Sequence, residues 1–228
     1  MRTRKLVLST ALAALLLGGF AAVVPIFISE GHADYARVVS IKETREYQDS
    51  ALLKKAWALP VAAAYQADID FQKNGSVCGP TSLVNVLHSF KQSGNQEGIL
   101  QGTGFSTVMG YLPEGLTLDQ LADIARQKLH RKVTVLRDLD LAAFREQLTH
   151  VNDPARRYVI NFSRAPLFGT GGGHHSPIAA YLNQEDLVLV LDVNKKYGPW
   201  LVKPERLYEA MNTVDATAQK KRGLLLIE

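Results

Sequence analysis

Residues 71–87 read FQKNGSVCGPTSLVNVL, and this stretch decides how the chain folds around its single cysteine, Cys78. A glycine-containing loop precedes Cys78, and residues 78–90 have the apolar spacing of a helix. Pro80 suits the first helical turn, where its missing N–H is harmless. A helix N-terminus has unpaired N–H groups and a partial positive charge, which lower the pKa of a thiol. We therefore predict a reactive thiolate at the start of this helix, with a buried, inert thiol as the alternative.

A thiolate nucleophile needs a base, and the base needs an orienting group. His174 and His175 follow a run of glycines and open a predicted strand, and Asp192 ends the apolar run LVLVL on the next strand. Hairpin pairing brings His174 and Asp192 to the same end of the two strands, so we predict a hydrogen bond between them. Gln72 lies a short distance before Cys78 and is predicted to form an oxyanion hole with the Cys78 backbone N–H.

A cysteine, a histidine and an aspartate in this order, with a glutamine before the cysteine, are the papain-type arrangement. A metal site at His174 and His175 is less favoured, because no third ligand is evident. Gly173 and the two glycines before it let the backbone of a ligand come close. Asp192 on its own fits a strand-end turn residue equally well. The remaining histidines are assigned to the N-terminal segment, a helix surface or helix ends: His32, His88, His130 and His150.

The order of the predicted elements indicates an α+β fold. Helices are predicted at 44–57, 78–90, 117–129 and 140–150, with a capping box opening the third and Asp140 capping the fourth. Residues 91–116 read as a long loop with short helical pieces. Strands are predicted at 132–136, 157–162, 176–182, 187–193 and 224–227, with a hairpin turn at 183–186. We thus expect a helical N-terminal half, with the cysteine at a helix N-terminus, packed on a C-terminal antiparallel sheet.

The composition excludes several classes of protein. With 46% hydrophobic and 21% charged residues, the 228-residue chain is neither disordered nor a multi-span membrane protein. One cysteine excludes an internal disulfide framework, a cysteine-based zinc site and an iron–sulfur cluster. The net charge is +4, part of it in the first few residues, so nucleic acid is not an expected partner.

Residues 1–33 read as a signal peptide or a signal anchor. Arg2, Arg4 and Lys5 precede an uncharged apolar run from 6 to 28, which is long enough to span a bilayer. Gly31 and Ala33 are small residues at a candidate cleavage point. Both versions keep the basic end in the cytoplasm. We therefore expect the domain at 34–228 to be exported, either periplasmic or anchored to the inner membrane with the domain outside the cytoplasm.

Four stretches resemble the catalytic domain of phytochelatin synthase, and most closely the short bacterial homologues that lack the Cys-rich C-terminal half. They are FQKNGSVCGPTSLVNVL, GGGHHSPIAAY, LDVNKKYGPWLVKPERLYEAMNTVD and QKKRGLLLI. The resemblance covers roughly residues 45–228. It implies a papain-like fold of the α+β class.

By the same resemblance, Cys78 is the nucleophile, His174 the base, Asp192 the orienting group and Gln72 the oxyanion donor. His174 is preferred because the catalytic histidine of the family pattern stands two residues before the serine, here Ser176. His175 occupies the position between them, which the family usually fills with an apolar residue. Arg222 is implied near the γ-glutamyl carboxylate of the substrate, and Gly173 is assigned to substrate binding with it.

The implied activity is that of a glutathione γ-glutamylcysteinyltransferase. Cys78 would release glycine from glutathione and pass the γ-glutamylcysteinyl group to water or to a second glutathione, in the latter case making phytochelatin. No cofactor is implied, and a metal would act only as a thiolate complex of the substrate. Glutathione and related γ-glutamyl thiol peptides are the expected partners, and a homodimer is compatible with the sequence.

Two other functions remain open. The run CGPTSLVNVL is also similar to peptidases that trim bacteriocin leaders. A membrane-tethered binding module that has lost turnover is the second alternative.

Overall fold

The helices that carry and surround Cys78 are seen in a computed structural model that describes residues 38–228. The predicted signal peptide or anchor lies outside the described residues. Among those that are described, no helix has the length and apolarity needed to cross a membrane.

Helices and strands alternate irregularly along the described chain. The α-helices are α1 (Ser50–Trp57), α2 (Pro60–Gln66), α3 (Cys78–Ser89), α4 (Leu118–Lys128), α5 (Leu141–Thr149), α6 (Ala165–Phe168) and α7 (Pro204–Met211). The strands are β1 (Val133–Leu136), β2 (Arg157–Ser163), β3 (Gly173–Leu182), β4 (Leu187–Leu191), β5 (Pro199–Val202), β6 (Val214–Asp215), β7 (Lys220–Lys221) and β8 (Leu224–Ile227). Short 3-10 turns lie at Ile41–Glu43 and Gly98–Leu100.

Six strands form one antiparallel sheet in the order β1-β8-β2-β3-β4-β5, and β6 pairs with β7 separately. Helix α3 packs on β3. The predicted α+β class is confirmed, and so is the arrangement with the cysteine-bearing helix on a C-terminal antiparallel sheet.

The sheet is buried on both faces. In β4, Leu187, Leu189 and Leu191 belong to the core under α3 and α4, whereas Val188 and Val190 belong to the core that includes residues of α5 and α7. A strand covered on both sides needs apolar residues at every position, and this is why LVLVL shows no alternation.

A β-bulge interrupts the pairing of β3 with β4. Ala180 pairs with Leu189, but Ile178 pairs with Val190, so the register shifts by one residue between these two pairs. Ala179 and Ala180 consequently lie in the same core, although they are adjacent in a strand. Beyond the bulge, this register places Ser176 opposite Asp192.

Several predicted bounds are confirmed and others are wrong. The predicted cap at Asp140 is present, and Thr117 forms the expected capping box with Gln120. The helix predicted from residue 44 begins only at Ser50, because the Asp49 carboxylate accepts hydrogen bonds from the N–H groups of Ala51 and Leu52 and so caps it there. Helix α2 and the β5–α7 segment are absent from the predicted elements.

Candidate active site

Cys78 is the first residue of α3, and the loop before it is held by side-chain hydrogen bonds. The Asn74 amide oxygen accepts from the Ser76 N–H at 3.0 Å and from the Ser76 hydroxyl at 2.7 Å, while its amide nitrogen donates to the Gly110 carbonyl at 2.8 Å. Cys78 is 7% exposed. The thiol therefore sits at a helix N-terminus, at the end of an ordered turn, as the sequence predicts.

Two imidazoles bear on the Cys78 thiol. His175 Nδ1 lies 3.9 Å from Sγ. His174, the predicted base, lowers the pKa of Cys78 by its charge and hydrogen bonding. The hydroxyl of Ser82, one turn into α3, lies 2.8 Å from the Cys78 carbonyl and 3.0 Å from the His175 carbonyl. This hydroxyl connects the start of the helix to the strand that carries the imidazoles.

The predicted contact between His174 and Asp192 is present in the structure. His174 Nε2 lies 3.0 Å from Asp192 Oδ1, and both side chains are buried. The imidazole packs edge-on against the ring of Phe162, with 5.5 Å between centroids. Because Nε2 is held by the carboxylate, Nδ1 is the ring nitrogen left for the thiol.

Asp192 is also bound by Arg164 and Trp200, which sequence reasoning missed. The two terminal nitrogens of Arg164 lie 2.8 Å from the two carboxylate oxygens, and Trp200 Nε1 donates to Oδ2 at 3.2 Å. The Arg164 guanidinium stacks 3.9 Å from the centroid of Tyr197. The carboxylate is thus fully buried, yet it has a buried cation as its counterion.

These contacts set the charges of the site. Burial alone would raise the pKa of Cys78, but the charge and hydrogen bond of His174, together with His175, hold that pKa well below its ordinary value. Burial and the charge of Arg164 lower the pKa of His174, whereas Cys78 and Asp192 raise it. The raising effects are larger, so the pKa of His174 lies above its ordinary value. Burial likewise opposes ionisation of Asp192, whose pKa is nevertheless low because His174 and Arg164 bind the carboxylate. Both pKa directions move the pair toward the thiolate–imidazolium form.

Gln72 joins the site through its backbone. Its N–H donates to the Val193 carbonyl at 2.8 Å, which ties the loop before Cys78 to the residue after Asp192. The side chain is half-buried, and within residues 38–228 its Oε1 has no hydrogen-bond partner. The amide contact to an oxyanion stays a prediction.

A cleft of about 290 Å³ opens beside Cys78 and is lined by Gly173 and Arg222. Arg222 is 7% exposed, and its guanidinium lies 3.4 Å from an Asp215 carboxylate oxygen and 3.5 Å from the Asn161 amide oxygen. A Cβ built on Gly173 would lie 2.5 Å from Arg222 Nη1. The predicted role of the glycine is therefore modified: in this structure its missing side chain makes room for Arg222.

The sequence contains no signal that points to Arg164, whereas Asp215 has a weak one. Arg164 follows the buried strand β2 as an ordinary basic residue, and its contact with Asp192 spans two strand connections. Asp215 lies within a stretch that carries the family resemblance, but no spacing rule links it to Arg222. Among the side chains of residues 38–228, no group of three or more His, Cys, Asp or Glu residues is placed to hold a metal ion.

Comparisons of sequence identify relatives of this chain. A protein of Lotus japonicus named glutathione gamma-glutamylcysteinyltransferase 3 is 32% identical over 117 residues, which cover 50% of this chain and 24% of the relative. A protein of Schizosaccharomyces pombe named glutathione gamma-glutamylcysteinyltransferase is 29% identical over 118 residues, covering 50% and 28%. The matched region is thus about a quarter of the length of these curated relatives.

Comparisons of structure find peptidase domains. A putative C39-like peptidase from Bacillus anthracis aligns with a TM-score of 0.49 at 13% identity, over 72% of this chain and 95% of that chain. The peptidase domain of Streptococcus ComA aligns with a TM-score of 0.47 at 14% identity, over 69% and 93%.

The family match extends over nearly the whole described chain. The model of the phytochelatin synthase family matches residues 42–224. This range contains the cysteine, both imidazoles, the buried carboxylate and the arginine of the cleft. The chain belongs to the phytochelatin synthase family.

Proposed function

We propose that this protein is a glutathione γ-glutamylcysteinyltransferase that forms a thioester on Cys78. The observation that carries the proposal is the group of side chains around the Cys78 sulfur. The buried thiol has a lowered pKa and lies 3.9 Å from the imidazole of His175, the neighbouring His174 is bound to a buried carboxylate, and a cleft lined by Arg222 opens beside them. The names of the relatives supply the substrate, glutathione.

In the first step the Cys78 thiolate attacks the carbonyl carbon of the cysteinyl–glycine peptide bond. The S–C bond forms, the C–N bond breaks, and the electron pair of the broken bond goes to the nitrogen of glycine. His174, protonated in the thiolate–imidazolium pair, gives its proton to that nitrogen. Glycine leaves, and γ-glutamylcysteine stays on Cys78 as a thioester. The backbone N–H of Cys78 and the Gln72 amide are the proposed oxyanion donors.

Arg222 and Asp215 suit the γ-glutamyl end of the substrate. That end is a zwitterion, with an α-carboxylate and an α-ammonium on one carbon. The guanidinium offers a cation for the carboxylate, and the Asp215 carboxylate, 3.4 Å away and in the same cleft, offers an anion for the ammonium. Asp215 is a substrate-binding candidate that the sequence reasoning did not name.

In the second step an acceptor attacks the thioester. His174 takes a proton from water or from the amine of a second glutathione, and Cys78 leaves as the thiolate. Water gives free γ-glutamylcysteine, whereas glutathione gives a peptide longer by one γ-Glu-Cys unit. In this proposal the protein supplies no metal ligands, and a metal ion enters only on the thiols of the substrate.

The test is release of glycine from glutathione by the purified protein. We expect the wild type to release glycine, and Cys78→Ser to release none while its circular dichroism stays unchanged. Mass spectrometry of the products, with and without cadmium, separates hydrolysis from chain growth. Wild-type-like release by Cys78→Ser would exclude the thiol mechanism. Cleavage after Gly-Gly in a leader-like peptide, without glycine release from glutathione, would favour the peptidase alternative.

We also propose that the protein acts outside the cytoplasm. The basic start and the uncharged run at 6–28 support export. N-terminal sequencing of the protein from a membrane fraction and from a periplasmic fraction tests this. A mature N-terminus near Asp34 would indicate a cleaved signal peptide, an intact Met1 in membranes an anchor, and an intact Met1 in the soluble cytoplasm would contradict export.

A further inference from the structure

The imidazole of His175 lies against the reacting sulfur but has no part in the mechanism above. Its side chain is buried, and the residue lines the cleft. Nδ1 is 3.9 Å from Cys78 Sγ, while Nε2 is buried with no hydrogen-bond partner among residues 38–228. A buried polar ring with one nitrogen at a nucleophile and the other unbound calls for an explanation, because burial without partners destabilises a protein.

We propose that His175 is a further catalytic residue, whose Nδ1–H donates to the Cys78 sulfur and stabilises the thiolate. The same donor acts when the sulfur leaves. In the second step the acceptor bonds to the carbonyl carbon, the C–S bond breaks, and its electron pair returns to sulfur. An N–H already directed at Sγ stabilises that developing charge. The role of the His175 N–H in thioester breakdown rests on the proposed function.

His174 and His175 would divide the work because their partners differ. His174 is bound to Asp192 and must gain and lose the transferred proton. No carboxylate is among the hydrogen-bond partners of His175, and the proposal directs its Nδ1–H at the sulfur. The Ser82 hydroxyl is within hydrogen-bond distance of both the Cys78 and the His175 carbonyls. It therefore holds the backbone segments that carry the sulfur and the ring next to each other. The other charged groups of the cleft are Glu114, Asp215 and Arg222, and their contribution is shared by every variant considered below.

The proposal predicts how substitutions change the titration of the thiol. A donor to a charged sulfur makes the thiolate less basic, so removing it shifts the pH profile of alkylation upward. For a long bond such as this one, we expect a shift of about one pH unit, or about tenfold slower alkylation at a pH below both titrations. Breakdown of the thioester should slow in parallel, because the leaving sulfur is less well stabilised.

The test compares three substitutions by the rate of iodoacetamide alkylation across pH. His175→Phe removes both ring nitrogens. His175→Asn keeps an N–H close to the position of Nδ1, whereas His175→Gln places one closer to that of Nε2. We expect Phe and Gln to shift the profile upward and Asn to keep it near that of the wild type. His150→Asn, at an exposed helix end, is the control and should change nothing.

An unchanged profile in His175→Phe, or equal profiles for Asn and Gln, would overturn the proposal. If the Phe variant fails to fold, the comparison of Asn with Gln still decides. Alkylation needs no substrate, so failure of the glutathione assay leaves this test intact. Conversely, glycine release by a protein whose alkylation ignores His175 would support the proposed function and reject the role of His175.

Discussion

At the scale of single residues, the charge of Asp192 is the feature that other side chains depend on. The carboxylate is fully buried and accepts hydrogen bonds from His174, Arg164, Trp200 and the backbone N–H of Asn194. A side chain that only orients an imidazole can be replaced by a neutral amide, which also accepts a hydrogen bond. The Asp192 carboxylate is in addition the counterion of the buried Arg164 guanidinium.

Asp192→Asn should therefore lower the free energy of unfolding strongly, while it retains part of the glycine-release activity. The amide can still orient His174, so partial glycine release is expected. Arg164, however, loses its counterion, and an uncompensated buried charge costs about 3 kcal/mol of unfolding free energy. Urea denaturation of the variant measures this loss.

The matched control for that prediction is the double variant Arg164→Met with Asp192→Asn. Removing the cation together with the anion should restore much of the lost stability, since no unpaired charge is then buried. Purely additive losses in the two single variants and the double variant would contradict the coupling.

The titration of Cys78 gives a second prediction at this scale. Its pKa is held low mainly because the charge and hydrogen bond of His174 outweigh burial. The thiolate therefore persists as pH falls below the ordinary thiol range. His174→Ala leaves burial less opposed, so the pKa must rise. We expect iodoacetamide alkylation at neutral pH to slow by more than about tenfold, which corresponds to a shift of one unit or more. Unaltered alkylation in this variant would assign the low pKa to His175 and the helix N-terminus instead.

At the scale of elements, Gly223 connects the cleft to the sheet. It stands between Arg222 and β8, and a Cβ built there would overlap the Leu136 carbonyl of the neighbouring strand. Its own carbonyl accepts the N–H of Asn161 at 2.9 Å. The close approach of two backbones thus requires a residue with no side chain.

Gly223→Ala should destabilise the protein by about 2 kcal/mol, because the backbone of β1 or β8 must move to admit the methyl group. Thermal unfolding measures the effect. Gly172→Ala is the control, since a Cβ there meets no atom within 4 Å. Equal losses in the two variants would mean that the overlap at Gly223 does not account for the change.

The elements also show which parts of the fold the sequence could reveal. Strong local patterns sufficed for α3, the capping box of α4 and the apolar strands β2, β4 and β8. Strand β5 and helix α7 were missed, because Pro199 and Pro204 break the local pattern and the strand is defined by its pairing with β4.

The candidate site divides in the same way. Cys78, His174 and Asp192 stand at the ends of elements with clear sequence patterns, so hairpin pairing could bring Asp192 to the end of the strand that carries the two histidines. The choice of His174 over His175 as its partner depends on the bulge, which the sequence did not reveal. The contacts of Arg164 with Asp192, and of Arg222 with Gly173, depend on how separate strands and loops pack. No hydrophobic periodicity or motif spacing in the sequence indicates these two contacts.

At the scale of the whole molecule, the two cores on opposite faces of one sheet are built from residues within 38–228. We therefore expect a chain that begins at Val38 to unfold in one cooperative transition and to keep the glycine-release activity of the full chain. Parallel denaturation by circular dichroism and tryptophan fluorescence tests this, since both probes should give one midpoint. Loss of the cooperative transition on truncation would show that earlier residues contribute to folding.

The bulge between β3 and β4 has a consequence for which imidazole meets the carboxylate. Neighbouring side chains of a strand point to opposite sides, and a slip of one position exchanges them. If the register set by the Leu182–Leu187 pair continued unbroken, Asp192 would stand across from Pro177 and share the side of His175. The extra position gives it Ser176 and His174 instead. A single extra residue thereby decides which imidazole the carboxylate binds, and an insertion or deletion in this short span would reverse that choice without altering either histidine.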